Sequence, residues 1–112
     1  GIAIDWTDRA IAEQAEFYFN RAQKNWENND LESALEDYNY VINFYPNWYF
    51  LWAAYVNRGN LKVNLKDYYS AYDDYTKSIE LNPNHAPSYY QRGWISHKII
   101  SPTKPSRLVY GD

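Results

Sequence analysis

The chain has 112 residues, with 20% aromatic side chains, no Cys and a formal net charge of −3. This length permits one small core or a short stack of helices, and the aromatic content excludes a disordered chain. Without Cys there are no disulfides or thiolate metal sites, no apolar run is long enough to insert into a membrane, and Lys and Arg are not clustered as nucleic-acid binding requires.

Two antiparallel helices are predicted in the first half of the chain. Apolar residues recur at helical spacing without Gly or Pro, which predicts a helix over about residues 8–28 with Asp5 or Thr7 as its cap. A second helix is expected from Asp30, or the residue before it, up to Pro46, because proline cannot continue a helix.

Three further helices are predicted after that turn. The third is expected over about residues 47–63 and the fourth over about residues 67–81. The fifth has Pro87 in its first turn, where proline is tolerated, and ends near Ile100 because two prolines follow. Residues 101–112 are interpreted as a tail.

The chain repeats itself at a fixed offset. Residues from Tyr55 to Asn84 match residues 37 positions earlier at many places (83 − 46 = 37 for the two prolines). A third match begins 34 positions after Tyr55 (89 − 55 = 34), but it has no second half. A period of this length is typical of stacked helical repeats.

These residues resemble the tetratricopeptide repeat, whose pattern is a bulky residue, a small residue four places on, Ala-x-x-x-aromatic and a closing proline. The second repeat carries this pattern in full as Tyr55, Gly59, Ala71, Tyr75 and Pro83. The resemblance implies an all-α fold, a right-handed α-solenoid of antiparallel helix pairs with two full repeats plus an additional C-terminal helix. The chain departs from the pattern by Arg21, Arg58 and Arg92 in place of Leu, and by three extra residues between Pro46 and Trp52.

The repeats set the expected boundaries within a domain of about residues 15–100. In order, these are a lead-in over residues 1–14, repeat 1 over about 15–48, repeat 2 over about 52–85, a half repeat over 86–100 and the tail over 101–112.

Two sets of residues are expected to hold the repeats together. Small residues stand where helix axes should approach closely: Ala22, Ala34, Gly59, Ala71 and Gly93. An Arg and an Asp are also separated by 16 residues in each full repeat (37 − 21 and 74 − 58), which predicts Arg–Asp bridges within a repeat or to its neighbour: Arg21 with Asp37, and Arg58 with Asp74.

A binding groove is expected from the resemblance, because the family's concave side is lined by a second stripe on each first helix and holds a peptide or helix of a partner protein. The corresponding residues are Phe19, Gln23, Trp26, Val56, Asn57, Asn60, Val63, Tyr90, Trp94 and His97. Aromatic anchors mixed with amides suit peptide binding. The alternative interpretation is that the large apolar members of the stripe are core.

A second interface is expected at Trp48, Tyr49 and Phe50, beside the three extra residues. About one added helical turn would project these side chains beyond the usual turn between repeats. An exposed aromatic patch of this kind marks an interaction surface.

No motif for catalysis, a cofactor or a metal is present, and His85 and His97 lack metal-ligand spacing. We therefore predict a protein-binding module without catalysis, cofactor or metal. Two alternatives remain open: self-association, with a homodimer through the apolar fifth helix, or a regulatory domain cut from a larger enzyme.

Overall fold

The computed structural model describes residues 2–100, with side chains from Thr7 onward. The described part consists of five α-helices: α1 (Ile2–Glu27), α2 (Leu31–Phe44), α3 (Leu51–Asn64), α4 (Tyr68–Leu81) and α5 (Ala86–Ile100). Each helix packs against the next one along the chain. The predicted all-α architecture, a helical repeat solenoid, is confirmed.

The two hairpins turn in the same way. The carboxylates of Asp30 and Asp67 cap α2 and α4 by accepting the backbone N–H of Ser33 and Ser70 at 3.2 and 3.4 Å. The residue before each cap has a left-handed backbone, with φ of 65° and 63°. The Asp that the sequence places after each first helix therefore begins the second helix of both repeats.

Two helix boundaries differ from prediction. Helix α1 begins at Ile2, so Asp5 and Thr7 lie within it and do not cap it; no Gly or Pro interrupts the helix there. Helix α3 begins at Leu51, not at Asn47. The extra residues form two successive turns, closed by Trp48 N–H to the Tyr45 carbonyl (3.1 Å) and Leu51 N–H to the Trp48 carbonyl (3.0 Å), and not an added helical turn. The predicted tail lies outside the described residues.

The aromatic residue of each repeat forms the centre of the core. Tyr38 is fully buried with Ala22, Ala34 and Leu61, and Tyr75 is fully buried with Ala71 and Ile95. A Cβ added to Gly59 would lie only 3.0 Å from Cε1 of Tyr75, so this glycine is needed for the close approach. The ring of Tyr75 thus packs directly against the backbone of α3.

Gly93 occupies the same repeat position but not the same environment. It is exposed, and nothing in the described structure lies within 4 Å of a Cβ built there. The predicted close packing at Gly93 does not occur among the described residues, because no described helix packs against that side of α5.

Substitution by alanine should therefore change the stability of the protein differently at the two glycines. We expect Gly93→Ala to stabilise the protein by up to about 1 kcal/mol through helix propensity alone. We expect no gain from Gly59→Ala, because the methyl group must displace the ring of Tyr75. Thermal unfolding followed by circular dichroism measures both, and equal gains from the two changes would contradict the packing described here.

Candidate functional site

Both predicted Arg–Asp pairs form, each within one hairpin. Arg21 donates to the two oxygens of Asp37 at 2.8 and 2.9 Å, and Arg58 donates to those of Asp74 at 2.7 and 2.9 Å. Both carboxylates are buried. The hydrogen bonds to Asp37 raise the pKa of Arg21. These two-pronged ion pairs hold the first and second helix of each repeat at a defined distance.

Two of the predicted groove amides hold the core tyrosines. Asn57 donates its side-chain N–H to the hydroxyl of Tyr38 at 3.2 Å, which ties α3 to repeat 1. The hydroxyl of Tyr75 donates to the side-chain carbonyl of Asn60 within repeat 2. Asn60 therefore serves the hairpin itself, and Asn57 lies at the junction of the repeats.

Several apolar members of the predicted stripe pack against the core. Phe19 lies edge-to-face against Tyr38 and Trp48, with ring centroids 5.8 and 5.4 Å apart. Val56 is buried and Val63 packs against the Tyr75 cluster. These residues pack as core residues, as the alternative interpretation of the stripe proposes, because neighbouring helices cover this part of it.

The structure brings Gln23, Trp26 and Asn57 together around one cleft. The cleft has a volume of about 330 Å³ and is completed by Glu27 and Tyr38. Gln23 and Glu27 are exposed and Trp26 is half-buried. Among the lining residues there is one carboxylate and no Lys or Arg. An apolar indole surface with amides and one negative charge can accommodate a peptide segment.

Sequence reasoning missed Glu27 and Tyr38 as members of this cleft. Glu27 directly follows Trp26 and ends α1, which is the one signal that could have identified it. The pKa of Tyr38 is raised to about 12, chiefly because burial disfavours the phenolate; the hydrogen bond from Asn57 opposes this rise and the negative charge of Glu27 adds to it. The cleft is therefore built where the end of α1 meets the repeat junction.

The predicted groove residues of α5 are exposed. Tyr90 is 74% and Trp94 is 42% exposed, and His97 is exposed beside them. The Trp94 ring lies 6.3 Å from that of Tyr68, and the ammonium of Lys98 lies 5.5 Å from its centroid. This end of the stripe is aromatic and positively charged, whereas the cleft at α1 carries Glu27.

The three residues of the second predicted interface differ in how far they are exposed. Trp48 turns inward against the core, whereas Tyr49 is 81% and Phe50 is 49% exposed. All three line a cleft of about 590 Å³ between the 44–50 segment and the first half of α1, which contributes Asp8 and Ile11. An aromatic surface with an acidic edge results.

Two stretches of this sequence match models of a known protein family. One model of the tetratricopeptide repeat matches residues 52–85, and a second matches residues 74–99. Together these matches assign residues 52–99 to the tetratricopeptide repeat family. No curated protein matches the sequence. Tetratricopeptide repeats generally mediate protein–protein interactions and are typically non-catalytic.

One series of hydrogen-bonded side chains in this tetratricopeptide array could be mistaken for a catalytic arrangement. Ser88 Oγ lies 2.8 Å from Ser78 Oγ and 2.8 Å from Nδ1 of His85. Both serines are fully buried, so a substrate cannot reach them. The chain of bonds instead fixes the start of α5 against α4.

No group of three or more His, Asp or Glu side chains in residues 7–100 is arranged to hold a metal ion. None of the helices described is both long and apolar enough to cross a membrane.

Proposed function

We propose that this tetratricopeptide array binds an extended peptide segment of a partner protein along the stripe that runs from α1 to α5. The observation that carries the proposal is the cleft of Gln23, Trp26, Glu27 and Asn57, in which predicted groove residues of two repeats converge. The exposed Tyr90 and Trp94 extend the same stripe on α5. The family's general role in protein–protein interaction supports this use.

The lining groups define the peptide. The half-buried indole of Trp26 suits one apolar side chain, since aromatic anchors in clefts supply most binding energy. The amide of Gln23 can pair with the peptide backbone and fix its register. Glu27 favours a Lys or Arg at this end of the peptide, and Lys98 favours an acidic residue at the α5 end.

The test uses peptides selected from a random library on the intact protein, with binding measured by calorimetry. We expect Trp26→Ala and Gln23→Ala each to weaken the selected peptides, Trp26→Ala by more than about 1 kcal/mol. Gln23 is exposed, so its removal should leave the fold intact. Circular dichroism verifies this for both variants.

The matched control is Tyr49→Ala, an exposed aromatic residue outside this cleft. It should leave the affinity unchanged. If Tyr49→Ala abolished binding and Trp26→Ala did not, the peptide site would be the cleft beside Tyr49 and Phe50, which is the second candidate surface because of its exposed rings and larger volume.

A further inference from the structure

Arg58 contacts both the helix before it and the helix after it. Arg58 donates from Nη1 to Asn39 of α2 at 2.8 Å, and from Nε and Nη2 to Asp74 of α4. Arg92, its counterpart on α5, donates from Nη1 to Thr76 of α4 at 3.2 Å. Thr76 corresponds to Asn39 (76 − 39 = 37). Arg92 therefore makes the contact with the preceding helix, and no described carboxylate lies within ion-pair distance of it.

Gly93 lies next to Arg92, and it also lacks a contact that its counterpart on α3, Gly59, makes. On α3 the ring of Tyr75, the residue that follows Asp74, covers Gly59 at 3.0 Å from the built Cβ. On α5 no described atom lies within 4 Å of the corresponding point. The two groups that receive an Asp–Tyr pair in repeat 2 are thus both present on α5, where no described helix supplies such a pair.

A groove adjoins these groups. It has a volume of about 340 Å³, runs between α4 and α5, and is lined by Tyr69, Tyr72, Asp73, Ser96, Ile99 and Ile100. Tyr69 is 72% and Ile100 is 75% exposed. Ser96 corresponds to Lys62 (96 − 62 = 34), which contacts Ser70 and Asp74 of the following helix. The groove therefore lies on the side of α5 that matches the side of α3 covered by α4.

We propose that this face of α5 binds an amphipathic helix of another polypeptide chain that carries a small residue, an Asp three positions later and an aromatic residue directly after the Asp. This is the Ala-x-x-Asp-Tyr pattern of both second helices, Ala34 to Tyr38 and Ala71 to Tyr75. The Asp pairs with Arg92, the aromatic ring covers Gly93, and the apolar side of the helix fills the groove. Residues 101–112 contain no Asp directly before an aromatic residue, so this stretch does not supply such a helix. The proposal is independent of the cleft at Trp26.

The probe is a synthetic, end-capped peptide of residues 67–81, the α4 sequence, added to the full-length protein. We expect it to bind and to shift the backbone NMR signals of Gly93 and its neighbours. Arg92→Leu and Gly93→Leu should each weaken binding by about tenfold or more, since one removes a charged hydrogen-bond partner and the other fills the ring's position. A peptide with Asn in place of Asp74 should lose as much affinity for the unaltered protein as these two variants lose for the original peptide. On the Arg92→Leu variant, the two peptides should bind equally.

Two controls and four contrary outcomes complete the test. Trp26→Ala should bind the peptide as well as the unaltered protein, and circular dichroism should show that Gly93→Leu is folded, because the site is exposed. Absence of binding at millimolar peptide, or binding to both α5 variants that is as tight as to the unaltered protein, would overturn the proposal. So would NMR contacts of residues 101–112 with Gly93, or a dimer that requires Gly93 and excludes the peptide, since each would assign the face to this chain itself.

Discussion

Asp74→Asn is expected to destabilise the protein by about 3 kcal/mol or more, because it breaks a buried ion pair from one side. The Asp74 carboxylate is 4% exposed and lies 2.7 Å from Arg58 and 3.1 Å from Lys62, whose side chains are only 16% and 15% exposed. Without the negative charge, two poorly hydrated cations lie side by side on α3 with no carboxylate to pair them. Urea unfolding followed by circular dichroism measures the free energy of unfolding.

Arg58→Leu should also destabilise, and the double variant with Asp74→Asn should cost less than the sum of the two single changes, because the unpaired charge is the unfavourable state. Additive losses would contradict this. Asp37→Asn is the matched control in repeat 1. It should cost less, because Arg21 is 51% exposed and water can hydrate it when its partner is removed.

Raising the pH above 10 is expected to reduce the free energy of unfolding steeply. Burial raises the pKa of Tyr38 to about 12, and burial together with the charge of Asp74 raises that of Tyr75 further. Between pH 10 and 12 the unfolded chain loses these protons while the folded protein keeps them. The stability is therefore complete below pH 10 and falls by about 1.4 kcal/mol per pH unit for each such tyrosine.

Urea titrations at a series of pH values between 8 and about 11.5 measure this slope. Tyr38→Phe serves as the control, because it removes one titrating hydroxyl and keeps the ring. We expect a lower stability at pH 8, from the lost hydrogen bond with Asn57, and a shallower decline above pH 10. A stability that stays flat up to pH 11 would contradict the burial of both hydroxyl groups.

Much of the fold could be predicted because it follows from local patterns that occur twice. Asp at the start of each second helix, the Ala-x-x-x-Tyr spacing and the 16-residue separation of Arg and Asp all recur at one offset. Each involves groups within one hairpin, where the short turn leaves few alternative arrangements. The capped helices and the two ion pairs therefore formed as expected.

The candidate site could be predicted only in part. The structure places Gln23, Trp26 and Asn57 around one cleft, and helical spacing accounts for Gln23 and Trp26, which lie three residues apart on one face of α1. Helical spacing alone also assigned Phe19 and Val56 to the groove, yet these two residues pack into the core. A helical period identifies a face but does not reveal how far a neighbouring helix covers it.

The sequence by itself determined the repeat, the helix order and the pairing within each hairpin. The tertiary structure alone decided which repeated residues are covered. Gly59 and Gly93 follow the same Tyr-x-x-Arg sequence, but a tyrosine ring packs on the first and no described atom packs on the second. Burial and ion pairing depend on the helix that comes next, so the same local pattern leads to a packed core in one repeat and an exposed surface in the other.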